Sequence, residues 1–128
     1  MPSADTLKRF IALVEANQHV EAIEQFYAPH ASMQENDLPP RTGRPALVAN
    51  ERAVLAKARW VKSTCVRPAF TNGDHVVIRW IFEFEWLDGR RTRLDEIAWQ
   101  RWEGDRIVEE KFFYDPRQLQ PQAPRPEL

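Results

Sequence analysis

The chain has 128 residues, with 18 Lys and Arg against 19 Asp and Glu and a formal net charge of −1. That length suits one domain with a single core, and the balanced charge weighs against a general nucleic-acid binder, which carries a basic excess. One cysteine, Cys65, excludes an internal disulfide framework; no apolar run reaches the roughly 20 residues of a membrane span, and Met1–Asp5 lacks a basic-then-apolar leader, so a cytoplasmic domain is expected.

The spacing of Leu7, Phe10, Ile11 and Val14 predicts a helix over 3–17, with Ser3 as its cap and Asn17 as its stop. A second helix is predicted over 19–28, with Val20, Ile23, Phe26 and Tyr27 inward; Pro29 ends it, because a residue before proline avoids the α region. A short strand follows over 31–35, then a loop broken by Pro39, Pro40 and Gly43. Pro45 suits the first turn of a third helix, running to about residue 58. From Trp60 the apolar period becomes two. Strands are predicted over 60–71, 75–87, 92–102 and 106–114, joined by turns at Asn72-Gly73, Asp88-Gly89 and Glu103-Gly104-Asp105. The proline-rich tail over 116–128 is set apart from a domain spanning 1–115.

Helices followed by a meander of long strands make an α+β domain. Strands of that length curl, so the expected architecture is a cone: a curved antiparallel sheet of about four long strands and a short one, packed on three N-terminal helices around an apolar pocket.

Three stretches resemble the nuclear transport factor 2-like superfamily, within it the SnoaL-like polyketide cyclase branch. They are Phe26-Tyr27-Ala28-Pro29-His30-Ala31, Gly43-Arg44-Pro45-Ala46-Leu47, and Gly104 to Glu110 followed by Phe112-Phe113-Tyr114-Asp115. The resemblance covers about residues 4 to 116. It implies the cone fold and a homodimer formed through the outer sheet face, where Ile97, Trp99 and Phe113 would lie. It does not imply a reaction, because the superfamily hosts isomerases, cyclases, dehydratases, epoxide hydrolases and non-catalytic binders.

Strand alternation sorts the pocket residues. On the second long strand Trp80, Phe82, Phe84 and Trp86 share a face that should point inward; on the fourth, Val108, Glu110, Phe112 and Tyr114 do so. On the third strand Glu96, Ala98, Gln100 and Trp102 oppose Asp95, Ile97, Trp99 and Arg101, and each set holds a tryptophan, so both assignments stay open. Phe10 and Tyr27 from the helices, Met33 from the short strand and Trp60 at the start of the first long strand complete the expected ligand-binding set, with Gln100.

Glu35 ends the short strand just after Met33, where an apolar wall would disfavour its charged form. Resemblance to the related ketosteroid isomerases implies that Glu35 stands where they carry their general base. It also implies that Phe10 and Ala98 replace their two oxyanion donors, which removes that route to enolate stabilisation. Tyr27 or Tyr114 could supply a donor instead. Glu96 and Glu110 are the other candidate catalytic carboxylates, with Arg41, Arg79 or Arg93 as balancing cations; a cross-strand ion pair is the alternative for Glu96. Glu51 interrupts the apolar stripe of the third helix and either reaches the pocket floor or, the favoured expectation, pairs with an arginine of the sheet. Asn36 either orients a ligand carbonyl or caps its loop. His19, His30 and His75 have no partner at metal-ligand spacing, and no glycine loop cradles a phosphate, so neither metal nor cofactor is expected.

The expected function is a small-molecule pocket: an isomerase, cyclase or dehydratase using a carboxylate base on an apolar carbonyl- or hydroxyl-bearing molecule. The alternative is a non-catalytic binder of a small apolar ligand. No nucleic-acid or membrane partner is expected.

Overall fold

The computed structural model describes residues 1–120. Among them are α1 (Ala4–Glu15), α2 (His19–Phe26), β1 (Tyr27–Glu35), β2 (Arg41–Thr42), α3 (Arg44–Ala56), β3 (Ala58–Asn72), β4 (His75–Trp86), β5 (Arg91–Glu103), β6 (Arg106–Phe113) and a closing 3-10 turn, Pro116–Leu119. The helices pack on a curved, unclosed sheet in the order β2-β1-β6-β5-β4-β3. No described helix is long and apolar enough to cross a membrane.

Ser3 caps α1: its hydroxyl accepts the Thr6 N–H at 3.0 Å and meets one of the unpaired donors of a helix start. Asn17 ends this segment with φ of 63°, a left-handed conformation that asparagine tolerates. The second helix stops two residues earlier than its apolar pattern suggests. Pro29 lacks an N–H and bars Ala28 from the α region, so the chain unwinds at Tyr27 and is already extended there.

That early start changes the sheet. β1 pairs in parallel with β6, through Met33↔Glu110 and Glu35↔Phe112, and antiparallel with the two-residue β2. The sheet is therefore mixed rather than antiparallel throughout, and it has six strands. The other three pairings form the antiparallel meander β3-β4-β5-β6. Gly73, Gly89 and Gly104 take positive φ in its three turns, where a Cβ would be strained.

The core lies between the helices and the concave face of the sheet. Phe10 is its hub, with Phe26 and Trp102 packed edge-on at ring separations of 5.6 and 5.8 Å. Leu47 from α3 is fully buried against this layer. The convex face carries ion pairs such as Arg79–Asp95 at 2.7 Å, and exposes Ile97 and Phe113.

The start of the expected free tail is docked. β6 ends at Phe113, which leaves Asp95 on β5 without a partner on the β6 side of the sheet. Gln118 replaces that partner: its Oε1 accepts the Asp95 N–H at 2.8 Å and its Nε2 donates to the Asp95 carbonyl at 3.1 Å. This anchoring sets Leu119 at the mouth of the cone. Residues 121–128 of the proline-rich tail lie outside the described residues. Gln118→Ala should cost about 1 kcal/mol and speed hydrogen exchange of the Asp95 amide; unchanged exchange would show that the turn is held by something else.

Candidate functional site

The concave face and the helices enclose a cavity of about 370 Å³, near the small end of the range for ligand pockets, about 300–1,000 Å³. Eight aromatic rings line it: Phe10, Tyr27, Trp80, Phe82, Phe84, Trp86, Phe112 and Tyr114. Two stacked pairs run along β4, Trp80 with Phe82 at 5.5 Å and Phe84 with Trp86 at 4.6 Å, as residues two apart on one strand face must. Met33 closes the wall from β1. Four carboxyl groups interrupt this apolar lining: Glu35, Glu51, Glu96 and Glu110.

The two-fold ambiguity on β5 resolves toward Glu96. Glu96, Ala98, Gln100 and Trp102 are buried, while the Asp95 carboxylate is clamped by Arg79 on the convex face. The reason is register: Glu96 stands opposite Trp80, and Ala98 opposite Ile78, both of which are buried.

Glu96 is 6% exposed and makes no hydrogen bond to any other described residue. No deeply buried polar side-chain atom among the described residues lacks a partner, so the Glu96 oxygens have their free surface on the cavity. Burial, and after it the charges of Glu110, Glu35 and Glu51, push its pKa up to about 8. At neutral pH Glu96 is a protonated carboxylic acid facing an apolar space.

Glu110 is held differently. Trp102 Nε1 can only donate, and it donates to Gln100 Oε1 at 2.9 Å, which turns the Gln100 amide nitrogen toward Glu110. That nitrogen donates to Glu110 Oε2 at 2.6 Å, while the Tyr27 hydroxyl donates to Oε1 in a short hydrogen bond. Burial raises the Glu110 pKa and these two donors oppose the rise, leaving it at about 7. The same surroundings raise the Tyr27 hydroxyl well above its ordinary range. Tyr114, beside Glu35 and Glu96, is also raised, first by burial and then by those charges.

Glu35 sits at the rim rather than in the desolvated interior. Its side chain is 38% exposed, with the Arg41 guanidinium 3.9 Å away. The apolar setting expected for it is therefore found at Glu96 instead. Four other expected ligand contacts lie off the cavity wall. Arg41 stands behind Glu35 on β2. Asn36 takes φ of 48° and its Oδ1 accepts the Tyr114 N–H at 3.0 Å, so it caps the loop. Gln100 is fully buried in the network behind Glu110. Trp60 points to the convex side: it stands opposite Glu85 and shares a face with Lys62, while Ser63 and Cys65 on the other face are buried. Arg79 and Arg93 belong to that outer face too and balance no cavity carboxylate.

Sequence reasoning passed over His19. It starts α2, is buried, and packs edge-on to Phe82 at 5.5 Å. Its Nε2 meets Ser63 Oγ at 2.8 Å, and the Ser63 hydroxyl donates its hydrogen bond to Asn17 Oδ1 at 2.9 Å, so His19 Nε2 is the donor in that pair. Nδ1 lies 3.1 Å from Glu51 Oε1. Glu51 thus pairs with His19 and not with an arginine of the sheet. The break that Glu51 makes in the α3 stripe was the only trace of this pairing in the sequence. Arg90, Thr92, Leu94 and Asn50 also border the cavity; Arg90 is turned to Asp88 at 2.9 Å.

Comparison with known proteins places this geometry in context. The SnoaL-like domain family matches residues 7–110. No curated protein matches the chain. Among solved structures, a protein from Mesorhizobium loti named as a SnoaL-like polyketide cyclase is 21% identical; the match covers 87% of this chain and 97% of that one, with a TM-score of 0.74. A nuclear transport factor 2-like protein from Burkholderia pseudomallei is 15% identical over 90% and 92% of the two chains, with a TM-score of 0.76. A protein from Catenulispora acidiphila with a ketosteroid isomerase-like fold, solved in complex with trimethylamine, is 16% identical over 91% and 89%, also at 0.76.

Proposed function

The chain belongs to the SnoaL-like domain family, and from that premise we propose that its cone binds a compact, mostly apolar molecule bearing a hydroxyl or carbonyl group and transfers protons on it without a cofactor. The observation that carries this reading is Glu96: a buried acid without a protein partner, on the wall of an apolar cavity. A carboxyl group in that setting keeps its proton at neutral pH and can give it to a substrate oxygen.

The chemistry that fits is acid-assisted elimination of water, or the related cyclisation. The Glu96 O–H bond breaks as the proton reaches the leaving hydroxyl. The carbon–oxygen bond breaks, water departs, and a neighbouring carboxylate takes the proton from the adjacent carbon. Glu35, ion-paired at the rim, is the candidate for that second role. Enolate formation fits less well, because Glu35, Glu51 and Glu110 border the same space and oppose a developing negative charge. Phe10 and Ala98, where related isomerases carry donors, supply none.

Incubating the protein with a panel of small hydroxy-carbonyl molecules tests the reading, with binding followed by Trp80 and Trp86 fluorescence and turnover by NMR. Turnover in the parent that is lost in Glu96→Gln, with binding kept, supports it. Binding without turnover in either protein would favour a binder without chemistry, the reading that the absent oxyanion donors support. The resemblance also carries the expectation of a homodimer through the convex face, where Phe113 is 47% exposed and Ile97 37%. Sedimentation should then give a dimer for the parent and a monomer for Phe113→Glu; a monomeric parent would remove that expectation.

A further inference from the structure

The four cavity carboxyls differ in what balances them. Glu35 has Arg41, Glu51 has His19, and Glu110 accepts hydrogen bonds from Tyr27 and Gln100. Arg90, the arginine on the wall, is held by Asp88. Glu96 alone among them has no partner in the described residues, and its oxygens border the cavity. The space in front of it is walled by aromatic rings, whose faces carry negative quadrupole potential. A cation entering there would meet the electron-rich rings and a single uncompensated acid; an anion would meet the fields of four carboxyls.

We propose that the cone is a cation-binding site whose ligand is a compact ammonium ion with an apolar body, paired with the Glu96 carboxylate and surrounded by the rings of β4 and Tyr27. The proposal rests on reading the cone as a small-molecule site and names the charge class that site selects. A metal ion does not suit it: no group of three His, Cys, Asp or Glu side chains among the described residues is arranged to hold one, and hard cations need several oxygen ligands. A volume of about 370 Å³ limits the ligand to a compact body. An ammonium ion also resembles the positively charged species that forms when Glu96 hands its proton to a neutral substrate, so cation binding and acid catalysis use the same charge arrangement.

The binding reaction has a defined proton balance. The free protein holds Glu96 protonated below about pH 8, and the ammonium ion pairs with the ionised form, so one proton leaves to solvent as the ligand enters. The groups facing Glu96 are Glu110 on β6, Glu35 on β1, Glu51 on α3 and the hydroxyls of Tyr114 and Tyr27; Glu110, at about 7, adds to the same trend. Affinity for the cation should therefore rise as pH rises toward about 8 and then level off.

The test compares choline with its uncharged isostere, in which carbon replaces the quaternary nitrogen, by calorimetry and tryptophan fluorescence from about pH 6 to about pH 9. Expected is a preference of about tenfold or more for choline at the upper end, shrinking as pH falls, with proton release detected on choline binding only. Such a preference lies within reach of a desolvated cation–π and ion-pair site. Glu96→Gln should sharply reduce the preference and abolish the proton release that accompanies choline binding. The parent's own pH profile keeps the test decisive if that variant folds poorly. Equal or tighter binding of the isostere at high pH would overturn the cation proposal and leave the small-molecule reading standing. Binding of neither molecule would overturn the cation proposal, while the hydroxy-carbonyl panel decides the small-molecule reading separately.

Discussion

Glu96→Gln should retain the fold, lower turnover by about 10²–10⁴-fold, the usual contribution of a positioned acid, and remove part of the protein's pH-dependence of stability. The direction follows from where the proton sits. In the unfolded chain the carboxyl ionises near its ordinary value of 4.5; in the folded chain burial holds the proton until about pH 8. Between those values the folded state binds the extra proton, so stability falls as pH rises. The favourable contribution is complete below about pH 4.5 and gone by about pH 8, a swing on the order of 5 kcal/mol. Glutamine cannot titrate and has nearly the same shape. The variant should therefore be comparable to the parent near pH 5 and clearly more stable near pH 9. A residual decline belongs to Glu110, whose window closes at about 7. Urea unfolding at the two ends of the range checks this; parallel profiles for parent and variant would refute the buried-acid description.

Glu110→Ala should have the opposite sign under mildly acidic conditions. Its carboxyl group is the shared partner of the Tyr27 hydroxyl and the Gln100 amide, and Gln100 cannot turn away because its oxygen is committed to Trp102. Removing the acceptor strands two buried donors, at about 1–3 kcal/mol each, so the loss is about 2–6 kcal/mol in all. Glu110→Gln is milder, because near pH 6 Glu110 is itself largely protonated and a glutamine oxygen can still accept from the Gln100 nitrogen. Chemical denaturation near pH 6 measures both. A variant as stable as the parent would mean that water or a rearranged Tyr27 fills the gap. Glu96 and Glu110 thus separate by use: one is tied into the core by two donors, the other is left open to the cavity.

The meander and its inward aromatic face were legible because strand alternation is a local signal: Trp80, Phe82, Phe84 and Trp86 share one side by spacing alone. The helices were legible for the same reason, apart from the end of α2, where the influence of Pro29 reaches further back than the apolar pattern suggests. The parallel pairing of β1 with β6 was not legible, because those strands lie far apart in the chain and neither carries a mark of its partner. The facing of β5 stayed open because tryptophan occurs on both of its sides, and only the pairing with buried Trp80 and Ile78 settles it. Of the site, Glu110, Phe112 and Tyr114 follow from alternation. His19, Glu51 and Ser63 come from three elements and meet only when α2 and α3 close over β3, so no spacing rule could bring them together. Trp60 was misplaced because its large apolar ring suggests an inward face, although plain alternation along β3 sets it on the side opposite the buried Ser63 and Cys65.

At physiological pH a neutral carboxylic acid, Glu96, faces the cavity. The most direct test of that protonation state is a carbon-13 NMR titration of the glutamate side-chain carboxyls, with Glu96 assigned by its absence in Glu96→Gln. The account predicts one carboxyl with a midpoint near 8, lost in the variant. A Glu96 resonance titrating near the ordinary 4.5 would contradict it.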